Sequence, residues 1–315
     1  MVKVRSKSPG MVSWLGPIIF ILAFSVPGAL GKSFEITVKP VESVRSGSLQ
    51  QTTEKKPGQI PHSRVVRGTR NITETWLAGP TNRYPHGVLG DDLEASRLIA
   101  TDRKGVHLFV ELPSERVFED LFPRLADLDK DGDDELIIVE SDAGLGASLA
   151  VYGTGVNGLE KRSATPFLGR PNRWLNPLGV GDFNGDGQLD LALVATPHIG
   201  GILRLYTYRQ GIMAVYAEFR AVSTHRIGST ALGLGQVVDN GAKDLILLPE
   251  QSWQALLLLE WESDRLRIRA KAALPSRLAS SLVPAGKDRW TVQLENGRPY
   301  EIRLIRLLKN HLETE

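Results

Sequence analysis

Two short stretches of this chain gather side-chain oxygens at alternating positions. One runs Asp127-Leu128-Asp129-Lys130-Asp131-Gly132-Asp133-Asp134-Glu135 and continues into Leu136-Ile137-Ile138-Val139. The other runs Asp182-Phe183-Asn184-Gly185-Asp186-Gly187-Gln188-Leu189-Asp190 and continues into Leu191-Ala192-Leu193-Val194. Oxygens at positions 1, 3 and 5 converge on one hard cation when the chain curls around it. A glycine at position 6 permits the sharp turn, and the position-7 carbonyl adds another oxygen. The chemistry expected is Ca2+ binding, with about two ions held. Asp127, Asp129, Asp131, Asp133 and Glu135 are the ligands of one loop, and Asp182, Asn184, Asp186, Gln188 and Asp190 those of the other. Asp133 and Gln188 occupy the carbonyl position. Asp, Asn and Gly also cluster in plain β-turns, but the ligand spacing favours the ion. A third stretch keeps Gly241, Asp244 and the apolar run Leu245-Ile246-Leu247-Leu248 but has lost its first ligands, so a plain turn is the better reading there.

An EF-hand would need a bidentate Glu at position 12 and helical flanks. Position 12 is Ile138 or Leu193, and the flanks are β-rich. Other chemistries find little support. There is no cysteine, and the six histidines include no i, i+4 pair. No nucleophile elbow and no Walker loop occur. Gly153-Thr154-Gly155-Val156-Asn157-Gly158 matches a dinucleotide fingerprint, but Pro166 leaves no room for the phosphate-binding helix. No catalytic residue is assigned and the chain is read as a non-enzyme. A carboxylate pair for glycoside chemistry stays open as an alternative.

The elements that must position these loops repeat along the chain. The intact loops lie 55 residues apart, and the third follows 54 further on. Weaker echoes stand at Gly90-Asp91-Asp92 and Gly286-Lys287-Asp288. After each loop comes an apolar strand, a break, and two strands joined by a tight turn such as Asn157-Gly158, Gln210-Gly211, Ser263-Asp264 or Asn296-Gly297. About four strands in roughly 45–55 residues is the period of a propeller blade. The fold expected is all-β, a small β-propeller of about five four-stranded blades over residues 76–307.

The acid loops and their strands resemble the FG-GAP/VCBS repeat family of bacterial surface proteins and integrin alpha-subunits. Its pattern D-x-D-x-D-G-x-x-D carries over to Asp127, Asp129, Asp131 and Glu135, and to Asp182, Asn184, Asp186 and Asp190. Glu135 departs from the usual Asp and keeps the charge. The resemblance implies a calcium-stabilised propeller used for binding or adhesion, and implies no particular reaction.

Residues 1–31 read as an export signal: Lys3, Arg5 and Lys7, an apolar stretch, then Ala29-Leu30-Gly31 before Lys32. An uncleaved inner-membrane anchor is the alternative, and a periplasmic or secreted bacterial protein follows in the first case. Asn71-Ile72-Thr73 matches a glycosylation acceptor and is read as chance in that setting. Residues 32–75 read as a polar linker, with Phe34 to Val38 able to form a lone strand, and residues 308–315 as a tail. Beyond the leader, 35 basic residues face 36 acidic ones, so nothing in the charge calls for nucleic acid. At 42% hydrophobic the chain has ample material for a core.

Turns in an up-and-down blade alternate between two faces, so the loops entering each first strand lie opposite the acid loops. Those loops hold Arg83, Arg173 with Trp174, and Arg226, and the loops between second and third strands add His198 and Trp253. Guanidinium groups beside aromatic rings suit carboxylates. An anionic ligand on that face is expected, either an acidic glycan or an envelope protein. The alternative function is a carbohydrate-active lyase or glycosidase.

Overall fold

The computed structural model describes residues 33–43 and 55–307, so the expected leader, residues 44–54 and the tail lie outside the described residues. Within them the chain is all-β, with twenty-one strands and no helix. Five antiparallel runs of four strands follow one another. The first is β2 (Val66–Arg67), β3 (Ile72–Thr81), β4 (Glu94–Asp102) and β5 (His107–Glu111). The second is β7 (Arg124–Ala126), β8 (Glu135–Asp142), β9 (Gly146–Gly155) and β10 (Gly158–Ala164). A short strand, β6 (Arg116–Phe118), pairs with both β4 and β8 and joins these two runs into a nine-stranded sheet. The third is β11 (Leu175–Gly181), β12 (Asp190–Ala195), β13 (Ile202–Arg209) and β14 (Ile212–Arg220). The fourth is β15 (Gln236–Val238), β16 (Leu245–Pro249), β17 (Ala255–Glu262) and β18 (Arg265–Ala273). The fifth is β19 (Val283–Gly286), β20 (Arg289–Gln293), β21 (Pro299–Leu307) and, from the other end of the chain, β1 (Ser33–Pro40).

The apolar runs after the acid loops are continuous because their strands are buried on both faces. Successive side chains on a strand point to opposite faces. In β12, Leu191 and Leu193 pack with Val139, Leu149 and Val151 of the second run. Ala192 and Val194, on the other face, pack with Ile246, Leu248 and Leu257 of the fourth. Clusters of the same kind join the first run to the second and the fourth to the fifth. Each fully buried Leu, Ile or Val contributes about 1.5–3 kcal/mol, so the sheets are held chiefly by their stacked faces. The tight turns form where expected. Gln210 and Gly211, between β13 and β14, both have positive φ (50° and 75°), the backbone a two-residue hairpin turn needs.

Two boundaries differ from the sequence reading. The first run begins at Val66 and not at residue 76, so residues 82–93 join its second strand to its third. The echo at Asp91-Asp92 is therefore not equivalent to the acid loops, and residues 68–71 hold that place. The span read as a linker also contains β1, paired with β21 in register from Ser33↔Leu307 to Pro40↔Tyr300. The physical reason is the edge of β21: without a partner its N–H and C=O groups would stand open. Phe34 and Ile36 turn inward onto Trp290, Tyr300 and Ile302. Replacing Ile36 by Ala should cost about 2–5 kcal/mol, the usual range for a buried Ile, read as a lower urea midpoint. An unchanged midpoint would mean that the fifth sheet holds without β1.

Candidate metal centre

Both intact acid loops join the first strand of a run to its second. Residues 127–134 link β7 to β8, and residues 182–189 link β11 to β12. In the first loop, oxygens of Asp127, Asp129 and Glu135 lie within 4.8 Å of one another and could hold a metal ion. Main-chain donors bend the loop around them. Gly132 N–H donates to Asp127 Oδ2 (3.2 Å), Asp131 N–H to Asp129 Oδ1 (3.3 Å) and Asp133 N–H to Asp131 Oδ1 (2.8 Å). Leu128 N–H holds Glu135 Oε2 at 2.8 Å. Gly132 sits at φ 98°, which a side chain would resist. Asp127 Oδ1 is buried without a hydrogen-bond partner. Burial, reinforced by the charges of Asp129, Asp131 and Asp127, pushes the Glu135 carboxyl up to about 7. Burial and neighbouring carboxylates both disfavour the charged form. Asp131 and Asp133 stand outside the tight group. With Asp129 and Glu135 they line a cleft of about 280 Å³ whose other wall includes Arg162 and Tyr208.

Two residues the sequence reading missed brace this loop. Asn71 accepts the Asp134 N–H at 2.7 Å, and Arg70 pairs with Asp127 and lies 3.7 Å from Asp134. They come from residues 68–71, the topological equivalent of the acid loop in the first run. The Asn of the Asn-x-Thr motif, read as chance, makes this contact, and only the register of the first run could have revealed it.

The second loop uses the same main-chain bonds but a different charge balance. Asp182 accepts from Gly185, Asp186 and Gly187 N–H at 2.7, 3.1 and 2.8 Å. Asn184 accepts Asp186 N–H at 2.8 Å and donates to Asp186 Oδ2 at 3.1 Å, and Gln188 N–H donates to Asp186 Oδ1 at 2.8 Å. Arg209 Nη2 then reaches Asp186 (2.7 Å) and Asp190 (3.2 Å), and Tyr216 OH donates to Asp190 Oδ2 at 2.7 Å. Burial raises Asp190 to about 6 against the pull of these donors. Between β19 and β20 of the fifth run, Asp288 is gripped by two nitrogens of Arg306 at 2.8 Å each, and Arg306 also donates to the main-chain carbonyl of Asp239 in the third loop at 2.7 Å.

Residues 127–193, spanning both intact loops, match the family model described as an FG-GAP-like repeat. The chain carries an FG-GAP-like repeat. No curated protein matches the chain. Among solved structures, the repeat-bearing chain is similar to a Bacillus licheniformis rhamnogalacturonan lyase (12% identity, 88% of this chain and 68% of that one, TM-score 0.38). It is also similar to the exotype rhamnogalacturonan lyase YesX (10% identity, 85% and 75%, TM-score 0.35) and to the rhamnogalacturonan lyase YesW (15%, 75% and 55%, TM-score 0.39). At TM-scores below 0.5 these likenesses decide neither fold nor activity.

The FG-GAP-like repeat contributes Arg173 and Trp174 to the side of the sheets away from its acid loops. There the expected ligand residues meet one another. Trp174 stacks on His198 (6.0 Å between centroids, 4° between planes), and His198 Nε2 lies 2.8 Å from His225 Nδ1. Arg226 sits 4.8 Å over Trp253 and pairs with Glu295. Arg83, which lies in the β3–β4 loop and not in an entering loop, spends its guanidinium on the Arg116 and Leu112 carbonyls. Arg173 makes no ion pair among the described residues. Sequence reasoning missed the buried acids beneath. Glu119 is fully buried and holds His86 Nδ1 at 2.6 Å, and Glu94, 1% exposed, has an oxygen without a partner. Burial and the nearby Glu119 push Glu94 up to about 10.

The histidine pair has a defined proton arrangement. Ser229 O can only accept, so His225 Nε2–H donates to it (2.7 Å) and His225 Nδ1 must accept from His198 Nε2–H. Burial lowers both histidines to about 4, from an ordinary 6.5. The unfolded chain therefore takes up protons first as the pH falls. The pair's stabilisation is complete above about 6.5 and is lost on the way down to about 4. Melting temperatures between pH 7 and pH 4 should fall, with a shallower slope in His225→Gln; equal slopes would place the acid sensitivity elsewhere.

Proposed function

We propose that this chain is an exported, calcium-binding β-propeller of five four-stranded blades that serves as a binding, adhesion or scaffolding module. The observation that carries the calcium reading is the first acid loop, where Asp127, Asp129 and Glu135 converge and the buried Asp127 Oδ1 has no donor. A hard divalent cation supplies the missing charge with oxygen ligands only. The propeller reading is supported by five successive up-and-down runs, each stacked on the next, with the first described strand completing the last run. Export, to the periplasm or beyond, rests on the leader of residues 1–31. The partner proposed is an acidic glycan or an envelope protein. With the Arg83 guanidinium held by main-chain carbonyls and Arg226 paired with Glu295, Arg173 is the guanidinium that would meet it.

A specific observation favours a second reading, a carbohydrate-active enzyme. Burial and the neighbouring Glu119 push the Glu94 carboxyl up beside the Glu119–His86 pair, and a raised acid next to a second carboxyl is what glycoside chemistry uses. Screening acidic polysaccharides for cleavage, with Glu94→Gln as control, separates the two.

Calcium that binds only the folded chain must stabilise it, by about 2.7 kcal/mol at a hundredfold excess over Kd. The melting temperature should rise in Ca2+ relative to EDTA, and Asp129→Asn should erase that rise. Identical melting curves in Ca2+ and EDTA would remove calcium from the proposal. Envelope fractions should retain the wild-type chain and release Arg173→Ala, with the calcium-dependent melting of the variant unchanged.

A further inference from the structure

The two intact loops share a main-chain plan but differ in what meets their carboxylates. In the first, Asp127 Oδ1 has no partner, and Asp129, Asp131 and Glu135 each receive a main-chain N–H on one oxygen only. None of these last three has an ion-pair partner among the described residues. In the second, every side-chain oxygen of Asp182, Asn184, Asp186 and Asp190 already accepts a hydrogen bond. The donor that links Asp186 to Asp190 is the guanidinium of Arg209. It reaches both carboxylates from the end of β13, anchored by bonds to the Tyr208 (2.8 Å) and Leu189 (3.4 Å) carbonyls. A second cation arrives from the neighbouring loop, where Lys130 Nζ donates to the Gly187 carbonyl.

We infer that Arg209 is the resident cation of the second loop, so that the chain takes one Ca2+, at the first loop, and the second is a latent site. The inference rests on the calcium reading of the first loop. Two physical differences carry it. The loop at 127–135 holds six acids, the loop at 182–190 only three, with Asn184 in place of a carboxylate. Affinity for Ca2+ in such loops follows ligand charge. An ion entering the second loop would also meet the positive charge of Arg209 at contact range, or would have to expel it from two carboxylates at once. A similar device stands in the fifth run, where Arg306 holds the carboxylate of Asp288 between β19 and β20 and touches the third loop only at the Asp239 main-chain carbonyl and the Asn240 side chain. The two intact loops thus differ in how far an arginine fills them: Arg70 pairs with Asp127 in the first and leaves Asp129, Asp131 and Glu135 open, whereas Arg209 bridges Asp186 and Asp190 in the second.

Calcium stoichiometry of the full chain, stripped with EDTA and titrated calorimetrically with CaCl2, tests this directly. One ion should bind the wild type. Asp129→Asn should abolish binding, while Asp186→Asn should leave one ion bound with unchanged affinity. Arg209→Ala should bind a second ion, and Arg209→Ala with Asp186→Asn should return to one. The melting-temperature gain in Ca2+ over EDTA should be larger in Arg209→Ala than in the wild type. Two ions in the wild type, falling to one in Asp186→Asn, would overturn the inference and leave the calcium reading standing. A folded Arg209→Ala, judged by its circular dichroism, that still binds one ion would overturn it as well. Absence of binding to every variant would remove the calcium reading itself. The Asp186→Asn arm decides the matter even if Arg209→Ala fails to fold.

Discussion

Carboxylates folded into one short loop repel one another, and each loop of this protein must find positive charge or protons to stay closed. Main-chain N–H groups do the first part of the work. Asp182 accepts three of them, and Asp127 accepts the Gly132 N–H that closes its loop. Hydrogen bonds to the charged form stabilise it, but they do not cancel several negative charges at once. The remainder is supplied differently each time. Arg209 and Tyr216 serve the second loop and Arg306 serves Asp288 in the fifth run, while the first has Arg70 on Asp127 and keeps the Glu135 carboxyl raised to about 7. The chain is thus a set of similar loops with unlike counter-charges, and of the two intact ones only the first has oxygens to spare.

The sheets that carry these loops make the arrangement possible. A loop between the first and second strands of a run is fixed at both ends by strands buried on both faces, so its oxygens are held where the strands place them. Arginines on neighbouring strands then stand at fixed distances from the loop, and a side chain of their reach either finds the carboxylates or does not. On the other side of the sheets the same rigidity brings together residues far apart in the chain. Trp174, His198 and His225 pack against one another above a buried acid pair. Aromatic and imidazole groups there are engaged with each other and with main-chain carbonyls. Arginines expected to wait for a ligand are mostly spent on internal acceptors.

Repeats, hairpins and acid loops were legible because each rests on short-range chemistry. Asp-x-Asp-x-Asp-Gly bends a loop locally, and a positive-φ pair at Gln210-Gly211 turns a hairpin wherever it occurs. The run of four strands per unit followed from the same turns. The start of the first run was misplaced because β2 is only two residues long and leaves no periodic signal. The strand at Ser33–Pro40 was visible as an alternation, but its partner lies at the far end of the chain, and pairing at that separation has no local mark.

The sequence by itself determined that the chain is all-β, that it repeats, and where its carboxylates gather, since spacing and turn propensity act over a few residues. Only the tertiary structure decided which carboxylates are free. Arg70, Arg209 and Arg306 lie 57, 19 and 18 residues from Asp127, Asp190 and Asp288, and nothing about an arginine in a sequence says which acid it will meet. Charge compensation depends on distances of a few ångströms between strands, and those distances are set by how the sheets stack.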